Sequence, residues 1–141
     1  MNPLSLVTLL QFAAVLHLGL LWAGASMPKA VNLRAALVPL PPFIRRLFYV
    51  YLGFIALILA GFGLLTFLYA APMAAGEPVA RALCILMAVF WSIRLLVAAV
   101  VFDMRPYLRT LFHRIGYFAL NSVFVYLVVL YAYVAWRGGH A

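Results

Sequence analysis

Acidic side chains are almost missing from this chain. Glu77 and Asp103 are the only two, which leaves no evident acid–base pair for catalysis. Cysteine is nearly missing too. Cys84 stands alone, so neither an intrachain disulfide nor a Cys-based metal motif is possible, and Cys84 reads as a small apolar helix residue. Polar surface is the third shortage. The chain is 70% apolar, with ten Lys and Arg and two acids in 141 residues, against about half apolar for a soluble domain. A chain this short lacks the polar residues to wrap several buried helices. It also lacks the alternation of polar and apolar positions that a membrane β-barrel needs. Its longest connection, residues 26–46, is too short for a soluble domain, so any chemistry belongs in the membrane or at its surface.

What is present is four long apolar runs, at residues 3–25, 47–71, 82–102 and 115–136. Each covers a hydrocarbon core of about 30 Å at 1.5 Å per residue. The expected fold is all-α and integral to the membrane: a single domain of four transmembrane helices in an antiparallel bundle. Cations set its orientation. Lys29, Arg34, Arg45 and Arg46 lie in the first connection and Arg105, Arg109 and Arg114 in the third, against Arg81 and Arg137 on the other side. The positive-inside rule places the seven-cation face in the cytoplasm and both termini outside, as in a bacterial inner membrane. That face suits anionic lipid headgroups, so the +8 net charge gives no reason to expect nucleic acid. The first run is not a cleaved signal peptide by this reading, because its cations follow it instead of preceding it.

Aromatic residues mark the expected span ends. Trp22, Phe48, Tyr49, Tyr51, Tyr107, Phe112 and Tyr117 belong to the cytoplasmic belt, and Tyr69, Tyr131, Tyr133 and Trp136 to the outer one. Pro28 is expected to end the first helix, and residues 38–43 to form an extended strap. Pro72, Gly76 and Pro78 make an outer turn. Asp103 is expected to cap the turn at Pro106 or to pair with headgroup-level cations. Gly19 with Ala23, and Ala56 with Ala60, are small-residue pairs suited to close helix contact. No internal repeat is visible, which weighs against an inverted-repeat transporter built from one chain.

Polar residues inside the runs are the candidate site. Arg94 lies about 13 Å from the cytoplasmic end when counted from Asp103, and His17 at a similar depth when counted from Ser26. Asn121 and Tyr126 follow at about 9 and 16 Å in the last run. Trp91 is one turn from Arg94 on the same face, where it offers a π surface to a cation. Arg94 should face protein or a water-filled cavity, with His17, Asn121 or a backbone carbonyl as partner.

The stretch Leu16-His17-Leu18-Gly19-Leu20-Leu21-Trp22-Ala23-Gly24, followed by Pro28-Lys29, resembles the first helix of four-helix membrane haem proteins of the HemJ type. Arg45-Arg46-Leu47-Phe48-Tyr49 resembles the start of their second helix. The resemblance covers about a third of the chain, and its spacing from His to Trp and to Pro differs. It implies haem binding at His17, whereas the residues themselves predict no cofactor and no axial ligation by His17 in the isolated chain, since His113 and His140 belong to surfaces and supply no second axial histidine. Three functions follow as expectations. The first is an accessory or scaffold subunit of a larger membrane complex, not an enzyme. The second is a haem-binding redox protein using His17, and the third an oligomeric anion or solute channel or exporter using Arg94.

Overall fold

A segment in the hydrocarbon core finds no water for its peptide groups, so an apolar run satisfies them internally by becoming helical. The computed structural model describes residues 2–102 and 105–140, Tyr107 by its backbone only. Asp103 and the Tyr107 ring, given roles above, lie outside the described residues. The elements are α1 (Pro3–Ala30), α2 (Leu33–Leu37), α3 (Pro42–Leu68), α4 (Ala70–Ala75), α5 (Pro78–Val100), a 3₁₀ turn (Arg105–Tyr107) and α6 (Leu111–Gly138). Among the described residues there is no strand. α1, α3, α5 and α6 are each long and apolar enough to cross a membrane.

Local chemistry sets the starts. α1, α3 and α5 all begin with proline, at Pro3, Pro42 and Pro78, whose missing N–H costs nothing in a first turn. α6 begins after Thr110, whose hydroxyl accepts from the His113 N–H. Two expectations about proline need correction. Pro28 does not end α1, which continues to Ala30. The proline sits in the last turn, where it forfeits one backbone bond, and the chain leaves the helix at Asn32 in the left-handed region, φ 49°. Asparagine tolerates that conformation better than most residues. The strap at 38–43 is also shorter than expected, because Pro42 and Phe43 already belong to α3.

α1 packs chiefly against α3, and α5 against α6, while short α4 touches all four long helices. The buried positions of α1 are Leu6, Leu10, Ala13, Ala14, His17 and Leu20. Leaving Ala14 aside, they step by four and three in turn. Ala80, Cys84, Met87, Trp91 and Ala98 continue that rhythm on α5, with half-buried Arg94 in the gap. This is the seam spacing of left-handed helix packing.

Close approach occurs at glycines other than those expected. A Cβ on Gly63 would lie 2.9 Å from the His17 Cβ, so α3 meets α1 there. Gly19 has nothing within 4 Å, and Ala23 and Ala60 are exposed. At the other end Gly76 has φ 76°, and a Cβ on it would lie 2.7 Å from the Gly138 Cα. Both facts require glycine there. Beside that contact the Arg81 Nε–H donates to the Ala135 carbonyl at 2.9 Å, placing a cation against the last turn of α6.

Candidate functional site

His17 is the centre of the buried polar residues. It is 0% exposed, and its Nδ1–H donates to the Ala13 carbonyl one turn back at 2.8 Å. That bond leaves Nε2 as the acceptor nitrogen, and Nε2 has no hydrogen-bond partner among the described residues. Three rings enclose the imidazole edge to face: Trp91 at 5.3 Å, Tyr131 at 6.2 Å and Phe62 at 6.4 Å between centroids. The Trp91 Nε1–H is also buried without a hydrogen-bond partner among the described residues.

Next to this nest lies a polar pair. Thr66 and Tyr131, both 0% exposed, bring their hydroxyls to 2.6 Å. The Thr66 hydroxyl also lies 3.6 Å from the Met87 sulfur. Tyr131 is therefore not a belt residue, as expected from its place near the chain end, but a core residue. Thr66 had no signal in the sequence beyond being a hydroxyl in an apolar run.

The other expected residues are stepped along the helices and not gathered. Trp91 stacks on Phe124 at 5.5 Å. The Arg94 guanidinium lies 5.1 Å from the Phe124 ring and 5.6 Å from Phe102, and its Nη1 has no hydrogen-bond partner among the described residues. Asn121 donates to the Tyr117 carbonyl of its own helix at 3.0 Å. Tyr126 donates to the Leu9 carbonyl of α1 at 3.0 Å and meets Phe12 edge to face. So His17 meets Trp91 and neither Arg94 nor Asn121. The reference points explain the difference. α1 runs four residues past Ser26, which puts His17 about 20 Å from its helix end, whereas Arg94 is about 9 Å from the end of α5.

Of the cations expected on the cytoplasmic face, Arg45 donates through Nη2 to the Leu40 carbonyl, Arg109 through Nε to Pro106, and Arg114 through Nε to Leu108. Lys29, Arg34, Arg46 and Arg105 are exposed.

The His17 Nε2 that would ligate a haem iron is buried, and the rings of Trp91, Tyr131 and Phe62 lie within 6.4 Å of the imidazole, centroid to centroid. His113 is engaged with the Thr110 hydroxyl at 2.8 Å, and exposed His140 lies against Trp136. Among the described residues, no three His, Cys, Asp or Glu side chains gather to hold a metal. No family model matches this chain, and comparisons with curated proteins and with solved structures likewise find no match.

Proposed function

We propose that this chain is an accessory subunit of a bacterial inner-membrane complex, an antiparallel four-helix bundle with both termini outside. The observation that supports it most is where the small residues lie. Gly53 has nothing within 4 Å, and Gly53, Leu57, Ala60 and Leu64 are all exposed on one stripe of α3. Gly61 beside them, and Gly19 and Gly24 on α1, are equally uncovered. Glycine inside a helix costs about 0.5–1 kcal/mol relative to alanine. Gly63 offsets that cost by admitting His17. The outward glycines have no such return within the chain, and close contact with another helix supplies one. The fully enclosed polar nest favours the same reading, because it offers a soluble substrate no approach.

The orientation rests on the seven-to-two distribution of cations. A reporter fused after Ala141 should read extracytoplasmic, and a cytoplasmic signal overturns the orientation. The partner is tested by tagging the full chain and purifying it from native membranes in a gentle detergent. The expected result is another membrane protein, or a second copy, at fixed stoichiometry. Gly53→Leu with Ala60→Leu should abolish that association while the chain stays folded. A chain that purifies alone, or an association indifferent to both substitutions, overturns the proposal.

A further inference from the structure

Where α5 gives way to the 3₁₀ turn, the surface folds into a groove of about 450 Å³. Ala99, Val101, Phe102, Arg105, Leu108 and Tyr117 line it. We propose that this groove is a binding site for one anionic phospholipid, its phosphate held by the arginines of the loop and its acyl chain by the apolar wall.

Four observations carry this. The first is chemistry: one wall is aliphatic and aromatic, and the rim carries a guanidinium and a phenol, which is the polarity of an amphiphile. The second is that two further arginines are fastened to the same loop. Arg109 binds the Pro106 carbonyl at 3.1 Å and Arg114 the Leu108 carbonyl at 3.2 Å, each through Nε. Each guanidinium is thereby tied to the backbone of the loop that supplies Arg105 and Leu108 to the groove. The third is charge. Residues 99–117 carry Arg105, Arg109 and Arg114 against the single acid Asp103, so three minus one leaves a formal +2 even with that carboxylate counted. Basic recesses at the ends of membrane helices are the usual setting for bound lipid headgroups. The fourth is outward exposure of the wall: Val100 is 75% exposed, Val101 66% and Phe102 52%. At this depth those side chains meet acyl chains, which is why we assign a lipid and not a free phosphate. Phe102 also stands 5.6 Å from the Arg94 guanidinium, so Arg94 backs the wall against which the lipid lies.

The test uses the full chain in detergent micelles, loaded with phosphatidylglycerol or phosphatidylcholine and examined by native mass spectrometry. The wild type should retain one phosphatidylglycerol and no phosphatidylcholine. Retention should fall about tenfold or more in Arg105→Gln with Arg109→Gln, and likewise in Ala99→Trp, which fills the groove without changing charge. Arg105→Lys with Arg109→Lys should keep most of it. Lys29→Gln with Arg34→Gln, which removes the same charge from the other cytoplasmic loop, should leave retention unchanged. Equal loss in that control means diffuse attraction and overturns the site. Retention by Ala99→Trp overturns the groove as its place. Displacement of the lipid by millimolar inorganic phosphate overturns the lipid as its occupant.

Discussion

The hydroxyl pair Thr66–Tyr131 offers the sharpest test of how this bundle is held. It joins α3 to α6, which share few other contacts, and so it ties the α1–α3 pair to the α5–α6 pair. Its two oxygens are 2.6 Å apart and both side chains are fully buried. Interhelical hydrogen bonds in membranes average about 0.6 kcal/mol and reach about 1.7. A short, enclosed one belongs near the top of that range. Thr66→Val leaves the Tyr131 hydroxyl stranded, a cost of about 1–3 kcal/mol. Tyr131→Phe should cost less, because the Thr66 hydroxyl can turn to the carbonyl one turn back in its own helix. The double variant strands neither group and should be little worse than Thr66→Val alone. The coupling energy from that cycle is expected at about 1–1.7 kcal/mol, read from reversible unfolding in mixed micelles. Additive single effects, with coupling below about 0.3 kcal/mol, would refute the view that this bond joins the two helix pairs.

Glycine positions separate contact from exposure. Gly63→Ala, whose new carbon would meet the His17 Cβ at 2.9 Å, should destabilise the fold by about 1–3 kcal/mol, whereas Gly61→Ala, with open space around it, should be neutral or stabilising in the isolated chain. Unfolding of the two variants side by side checks this, and equal effects would contradict the described α1–α3 contact. Gly76→Ala adds left-handed backbone strain to a collision with α6 and should be worse than Gly63→Ala in the same measurement. Arg94→Leu should insert as well as the wild type, since a central arginine costs roughly 2.5–3.5 kcal/mol on the insertion scale. It should lose about 0.5–2 kcal/mol of stability with each ring contact removed; glycosylation mapping and unfolding read the two effects separately.

The four spans were legible because length and hydropathy follow directly from the thickness of the membrane. Which residues face inward was not, and the physical reason is specific. In water a buried seam is more apolar than the rest of a helix, so periodicity exposes it. In lipid the outward face is just as apolar. Leu18 and Ile93 are exposed while Leu6 and Met87 are buried, and nothing in their hydropathy distinguishes them. Polar residues were the available signal. They identified His17, Trp91 and Tyr126, all of which reach another helix. They misled for Asn121, whose amide is satisfied within its own helix, as are the hydroxyls of Thr8, Ser26, Ser92 and Ser122. A side chain able to bond the carbonyl four residues back needs no neighbour, so its presence in a span says little about packing.

The same distinction shows what selects the arrangement of helices. Without a hydrophobic force between them, the faces that meet are those where a long side chain finds a small one or a polar group finds a partner it cannot reach on its own helix. His17 against Gly63 is the first kind. Thr66 with Tyr131, Tyr126 with the Leu9 carbonyl and Arg81 with the Ala135 carbonyl are the second; the first two of these bonds cross between the helix pairs, and the third joins α5 to α6 within one pair. From Trp91 toward the end of α5 the rings continue as a column: Trp91 on Phe124, Phe124 beside Arg94, Arg94 beside Phe102. Phe102 forms part of the groove wall. The buried histidine nest and the groove wall are therefore connected by contiguous packing of large side chains. A shift of α5 against α6 would alter both contacts of Phe124 at once, since Trp91 and Arg94 belong to one helix and Phe124 to the other.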